Sequence, residues 1–237
     1  MALLEGASLF LDLDGTLLDL RDDPADVIAD AALRALLLEL QIHLSGRLAI
    51  VSGRSLAQID SILGPLAERL AVSGSHGSEL RAQGVAAAPS RPASLDIAAC
   101  RLNDFADGHD GVLVERKSFG VAIHYRMCPD AGPAADRLAA QLAEELGLHL
   151  QEGKMMRELR VPGADKGRAL DQMMRRPPMR GGVPLFVGDD RTDEPAFEAA
   201  AALGGAGILI GEPRETAARY SLADPAALRH WLAGACR

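Results

Sequence analysis

Cysteine is scarce in this chain of 237 residues: Cys100, Cys128 and Cys236 are the three present. They lie far apart, are odd in number and form no CxxC pair, which argues against a disulfide framework and a thiolate zinc site. Free thiols fit a reducing compartment, and the cytoplasm is expected. Basic residues are not in excess either. With 25 Lys and Arg against 33 Asp and Glu, the formal net charge is -8. A nucleic-acid binder needs a basic surface, so that class is set aside. Long apolar runs are also missing. The greasiest helix-like run, Ala31 to Leu40, is broken by Arg34 and Glu39 and is too short to span a bilayer, so no membrane association is expected. Met1 to Leu11 carries Glu5 and no basic cluster, so a cleaved leader is not expected. The remaining composition, 48% hydrophobic and 24% charged, is that of a soluble globular protein. Its length suits one large domain or a core plus a smaller unit.

What the chain does have is acids at the ends of apolar strands. Ser8-Leu9-Phe10-Leu11-Asp12-Leu13-Asp14-Gly15-Thr16-Leu17 reads as one strand that delivers two carboxylates and breaks at a glycine. Residues two apart on a strand share a face, so Asp12 and Asp14 would repel one another without a nearby cation. In an open α/β sheet, ligands bind at the carboxyl ends of strands. A calcium loop of the EF-hand type would need glycine at its sixth position, where Leu17 stands.

The first third alternates strand and helix. Asp23 can cap a helix with Pro24 at its first position, and Ile28, Ala32, Leu36 and Leu40 recur at fours. A second apolar strand, Leu48 to Val51, ends in Ser52-Gly53-Arg54. Ser55 with Gln58 forms a capping box for a helix buried through Leu56, Ile59 and Leu63 and stopped by Gly64-Pro65. The last third repeats the pattern. Asp165 can cap a helix containing Lys166, Leu170, Met173 and Met174. The strand Val183 to Val187 then ends in Gly188-Asp189-Asp190-Arg191-Thr192-Asp193, and Ile208 to Ile210 makes a final strand. Such alternation predicts an α/β fold, a doubly wound, Rossmann-like core on a parallel sheet. Gly205-Ala206-Gly207 fails the dinucleotide pattern because Gly211 comes one place late.

The middle differs. Gln83 to Pro92 reads as an Ala/Pro-rich linker. Val112 to Glu115 and Phe119 to Arg126 read as strands around Arg116-Lys117-Ser118, with Phe119, Val121, Ile123 and Tyr125 on one face. A helix from Pro133 to Leu146 and strands Leu148 to Gln151 and Met155 to Val161 follow. Antiparallel strands with one apolar face suit a small sheet covered on one side by helix. The predicted organisation is a core of residues 1–82 and 164–237 with an inserted α/β cap of residues 83–163. Gln83-Gly84 and Pro162-Gly163 would be the hinges.

Side by side in one sheet, the clusters Asp12/Asp14, Ser52/Arg54 and Asp189/Asp190/Asp193 would meet at one edge. Carboxylates crowded there require a cation, and oxygen ligands select a hard one such as Mg2+, bound together with phosphate and water. One carboxylate can attack phosphorus, a second can move protons, and an amine with a hydroxyl can hold the oxygens that gather charge. Each residue also has a plainer reading. Ser52 can be a turn hydroxyl, Lys166 a solvated lysine, and Asp190 and Asp193 helix caps.

DxDGT, a strand-ending Ser, a later Lys and GDDxTDE, in that order, resemble the haloacid dehalogenase superfamily of phosphohydrolases. The resemblance implies Asp12 as nucleophile and Asp14 as general acid/base. Asp12, the Asp14 backbone carbonyl and Asp189 would ligate Mg2+, supported by Asp190 or Asp193. Ser52 and Lys166 would clamp the phosphate, with Gly15, Thr16 and Gly53 beside it. Over nearly the whole chain, the sequence resembles the trehalose-6-phosphate phosphatase family. That likeness rests on Val51-Ser52-Gly53-Arg54-Ser55, Gly74-Ser75-His76-Gly77-Ser78-Glu79, Ala122-Ile123-His124-Tyr125-Arg126, Gln151-Glu152-Gly153-Lys154 with Glu158, and Gly188 to Glu194. It implies sugar contacts at Lys154 and Glu158 of the cap and Arg54 and His76 of the core, with Gly77, Lys117 and His124 nearby. Lys154 and Glu158 share parity, so an extended segment would put both on one face; they could equally be a surface ion pair. The implied partner is a small sugar phosphate, trehalose 6-phosphate, met by a monomer. Two alternatives stay open: a phosphatase or phosphomutase for another sugar phosphate, and a receiver-type phospho-accepting domain, which needs no inserted cap.

Overall fold

In the computed structural model, which describes residues 2–20, 27–82, 85–87 and 90–236, the chain divides into two compact units. One comprises Met1–Ala88 and Ala164–Arg237, the other Pro89–Gly163. In chain order the strands are β1 (Ala7–Leu11), β2 (Leu48–Val51), β3 (Ala71–Gly74), β4 (Glu79–Ala82), β5 (Val85–Ala87), β6 (Leu113–Lys117), β7 (Gly120–His124), β8 (His149–Gly153), β9 (Met156–Arg160), β10 (Val183–Gly188), β11 (Ala206–Ile210) and β12 (Tyr220–Leu222). The helices are α1 (Ala31–His43), α2 (Leu56–Leu63), α3 (Ala93–Ala106), α4 (Gly132–Leu146), α5 (Lys166–Met174), α6 (Glu194–Ala202) and α7 (Pro225–Ala235). Among the described residues, no helix is long and apolar enough to cross a membrane.

The first unit is built on a sheet ordered β12-β11-β10-β1-β2-β3-β4-β5. From β12 to β3 neighbours pair parallel; β4 and β5 are added antiparallel. Strand β1 sits near the centre with every residue buried, as a parallel strand covered on both faces must be. Its alternation splits the core. Leu9 and Leu11 pack with Leu33, Leu37 and Leu40 of α1, Ile59 of α2 and Leu228 and Leu232 of α7. Phe10 packs on the other face with Leu170 and Met173 of α5 and Phe197 of α6. The sheet is doubly wound.

The helix starts follow from local capping. Ser55 accepts from the Gln58 backbone and Gln58 answers at the Ser55 N–H, completing the capping box before α2. Asp165 caps α5 by accepting from Arg168 N at 2.8 Å. The first helix departs from expectation. Its cap is Asp30, accepting from Leu33 N at 2.6 Å, and the Asp23-Pro24 start lies outside the described residues. The buried stripe is Leu33, Leu36, Leu37 and Leu40, while Ile28 precedes the helix and is exposed.

The second unit has an antiparallel sheet ordered β6-β7-β9-β8. Phe119, Val121, Ile123 and Tyr125 are all buried, and α3 and α4 share one core with this sheet through Leu95, Leu102, Ala135 and Leu142. Residues 83–92, expected as a linker, include strand β5, which pairs with β4 and so belongs to the first unit. Residues 83, 84, 88 and 89 lie outside the described set. Lys117, expected between strands, is the last residue of β6 and pairs with Gly120.

Candidate active site

Strands β10, β1 and β2 are neighbours, so their carboxyl ends bring Asp189, Asp12 and Ser52 to one edge of the sheet. Lys166 opens α5 and reaches this edge. Its Nζ lies 2.8 Å from Asp12 Oδ1 and 2.6 Å from Asp193 Oδ1, with all three side chains buried. Asp193 turns its second oxygen to the backbone: Oδ2 accepts from the N–H groups of Asp189 and Asp190, each at 3.0 Å. One carboxylate thereby fixes both the amine and the turn after β10. Thr16 donates to Asp189 Oδ1 at 3.1 Å. Glycine is required at two points here. A Cβ on Gly188 would lie 2.3 Å from Asp193 Cγ. One on Gly15, which adopts φ +75°, would lie 2.1 Å from Asp189 Oδ2.

Carboxylate oxygens of Asp12, Asp189 and Asp193 can lie within 4.8 Å of one another. The donor set is all oxygen, which suits a hard divalent cation. Since Asp193 commits both oxygens to Lys166 and the backbone, Asp12 and Asp189 are the better-placed ligands. Asp14 and Asp190 turn elsewhere. Both Asp14 oxygens take Arg54, with Nε at 2.6 Å and Nη2 at 2.7 Å, and Asp190 Oδ1 accepts from Arg191 N at 2.5 Å. Neither side chain joins the three-acid group, so three of the five carboxylates expected at this edge meet; of Asp14, the resemblance places only the backbone carbonyl on the ion, beside Asp12 and Asp189.

Burial and crowding set the protonation of this site. Burial, then the neighbouring Asp193 and Asp189, push the Asp12 carboxyl well above the usual range against the opposing pull of Lys166. Burial and Asp193 raise Asp189 to about 6. Burial works against the Lys166 charge, but Asp12 and Asp193 outweigh it and hold the ammonium firmly protonated. These are the demands of a site short of positive charge.

Around β2 the phosphate-clamp candidates are tightly placed. Ser52 is buried and its Oγ accepts from Arg54 N at 3.2 Å. His76 stacks where a Gly53 side chain would be, since a Cβ there would sit 2.6 Å from the ring. Gly77, at φ +104°, passes so close to α5 that a Cβ would lie 2.6 Å from Asp165 O.

Within the second unit, Glu158 is buried on β9 and accepts from Lys117 Nζ at 2.8 Å. His124 Nε2 lies 3.1 Å from Glu115 Oε2. Lys154 does not share a strand with Glu158: the chain reverses at Lys154-Met155, between paired Gly153 and Met156, so the parity argument fails. Lys154 is exposed at that turn, where Met155 adopts φ +58°. Glu79, a buried carboxylate behind the β2 loop, is not among the residues the sequence singles out. Its one hint is its place in the Gly74 to Glu79 motif, since no periodicity marks a residue that opens a short strand.

The trehalose-phosphatase family model matches residues 10–226. A probable trehalose-phosphate phosphatase of Sinorhizobium fredii is 36% identical over 213 residues, covering 89% of this chain and 80% of its own. The trehalose-6-phosphate phosphatase of Escherichia coli is 34% identical over 228 residues, covering 94% and 84%. A solved structure described as a trehalose-6-phosphate phosphatase related protein superposes with TM-score 0.79 at 30% identity, covering 96% of each chain. A haloacid dehalogenase-like hydrolase from B. subtilis shares the fold, with TM-score 0.65 at 16% identity, covering 95% of this chain and 99% of its own.

Proposed function

The chain belongs to the trehalose-phosphatase family, and from that premise we propose that it hydrolyses trehalose 6-phosphate to trehalose and phosphate. The observation that carries the reading is the buried Lys166 bridging Asp12 and Asp193 at the edge where β10, β1 and β2 end. A protein gains nothing in stability by crowding acids there, but a phosphoryl group needs this arrangement.

In the first step the Asp12 carboxylate forms a bond to phosphorus while the ester P–O bond breaks. Asp14 gives its proton to the departing sugar oxygen. In the second step water adds to phosphorus of the aspartyl-phosphate and loses a proton to Asp14. The bond to Asp12 breaks and inorganic phosphate leaves. Lys166 and the Ser52 hydroxyl hold the equatorial oxygens where charge gathers. Arg54 grips both Asp14 oxygens, so one of these contacts opens when Asp14 carries the proton it gives to the sugar oxygen. A hard divalent cation, Mg2+ in this reading, would be held by Asp12, Asp189 and the Asp14 backbone carbonyl, and would neutralise charge on the phosphoryl group. Asp193 sets Lys166 in place without itself binding the ion. The sugar is met by Arg54 and His76 of the first unit and by Lys154 and Glu158 of the second, with Lys117 holding Glu158. The protein acts as a cytoplasmic monomer.

Phosphate release from a panel of sugar phosphates, with and without Mg2+, tests the reading. Trehalose 6-phosphate should be the preferred substrate and Mg2+ should be required. Asp12→Asn should abolish turnover while keeping the circular-dichroism spectrum, because a near-isosteric amide cannot attack phosphorus. An isomerised sugar phosphate without free phosphate would instead mark a mutase. Retained activity in the variant would refute the nucleophile.

A further inference from the structure

Two loops converge behind the candidate sugar-facing residues, one after β2 and one between β3 and β4, and their packing leaves almost no freedom. Strand β4 pairs antiparallel with β3 so that Glu79 stands opposite Gly74. Gly74 has no room for a side chain: a Cβ would lie 2.8 Å from both Arg54 O and Leu56 N. Two residues in the left-handed region follow, Ser75 at φ 49° and His76 at φ 53°. For a side chain other than glycine or asparagine that conformation costs on the order of 1 kcal/mol each, and it persists only where the surroundings impose it.

The surroundings here are hydrogen bonds from one loop to the other. Ser75 N donates to Arg54 O at 2.8 Å, and His76 N donates to Ser52 O at 3.1 Å. Glu79 closes the arrangement from below. A single oxygen, Oε2, accepts from the Ser75 hydroxyl at 2.6 Å and from Leu56 N, in the first turn of α2, at 3.2 Å. The Glu79 backbone carbonyl also accepts from Ser73 Oγ at 3.1 Å. A carboxylate at 7% exposure with such partners ties the strained turn to the start of the helix that follows Arg54.

We propose that Glu79 is a positioning residue for substrate selection: through Ser75 it holds the left-handed turn that presents His76 across Gly53, beside Arg54. The assignment rests on the reading that His76 and Arg54 face the sugar of a sugar phosphate. It adds that selectivity for the sugar, as distinct from phosphoryl chemistry, depends on a carboxylate that touches no substrate. A plain helix-capping role differs in one respect: it would use the Leu56 contact and make Ser75 irrelevant.

The test compares kcat/KM for trehalose 6-phosphate with that for p-nitrophenyl phosphate, a small ester without a sugar, in the full chain with Mg2+. Ser75→Ala and Glu79→Ala should each lower the ratio by about tenfold, mainly through a higher KM for the sugar phosphate, as expected when a buried partner is lost. Glu79→Gln, which keeps an acceptor, should restore most of it. The double variant Glu79→Ala/His76→Ala should lose no more than His76→Ala alone, because both act through one side chain. Additive losses, a silent Ser75→Ala, or equal losses on both esters would overturn the assignment. Should Glu79→Ala fail to fold, Ser75→Ala and Glu79→Gln still decide it. Wild-type failure to turn over trehalose 6-phosphate would strike the functional reading itself, whereas wild-type turnover with an unchanged ratio in the variants strikes only Glu79.

Discussion

Asp193 is fully buried and spends both oxygens, one on Lys166 Nζ at 2.6 Å and one on two backbone N–H groups. A carboxylate so satisfied is a structural keystone that fixes both Lys166 and the turn after β10. Asp193→Ala should therefore cost about 3 kcal/mol in urea unfolding, the scale for breaking a buried ion pair, and should lower kcat sharply. An unchanged urea midpoint would show that the Lys166 contact is not retained in solution. The raised acids predict a pH dependence. Asp189 holds its proton up to about 6 in the folded chain, whereas an unfolded aspartate releases it near 4. The native state thus binds the extra proton between those values. Its contribution to stability is complete below the unfolded value and is lost as pH rises through about 6. A divalent ion competes with that proton, so stabilisation by millimolar Mg2+ in thermal melts should grow from pH 5 to pH 7. A shift independent of pH would sink the assignment of Asp189 as a ligand.

At the scale of elements, the glycines that end β3 and β10 leave no room for a side chain. The turn after β10 packs so closely that a Cβ on Gly188 would lie 2.3 Å from Asp193 Cγ. Gly188→Ala should displace Asp193, costing about 1–3 kcal/mol as overpacking does. It should also reduce turnover by more than the loss of folded protein accounts for, a comparison of unfolding curves with active-site kinetics. Local signals located several elements well. The Ser55/Gln58 box starts α2, Asp165 starts α5, and Gly147 ends α4 in the left-handed conformation. Other elements carry no clear local signal. Helix α3 follows Pro92 without a side-chain cap, so its start does not stand out by punctuation. Strands β3, β4 and β5 are only three or four residues long, too short for an alternation to show.

Over the whole molecule, each unit has its own buried cluster, the second built on Leu95, Val121, Ile123, Leu142 and Leu159. Lys154 is exposed on the β8–β9 turn, and in the proposed reading it meets the sugar and not the phosphoryl group. Lys154→Ala should cut kcat/KM for trehalose 6-phosphate by about tenfold or more, the scale of a lost charged hydrogen bond, while leaving p-nitrophenyl phosphate hydrolysis nearly intact. Equal losses on both substrates would remove the second unit from recognition.

The amino-acid sequence alone determined the kinds of chemistry at hand: acids after apolar runs, a hydroxyl and an amine in fixed order, and hydrophobic spacing that commits the segments to strands and helices. Those properties are local, since side-chain type and period act over a few residues. Tertiary structure decided which strands adjoin, and so which acids meet. It also decided that Asp193 faces Lys166 while Asp14 faces Arg54, and that Lys154 sits on a turn apart from the Glu158 strand. The reason is physical. Whether a carboxylate becomes ligand, clamp or keystone depends on its burial and on the partner that burial supplies, and both come from segments far away in the chain.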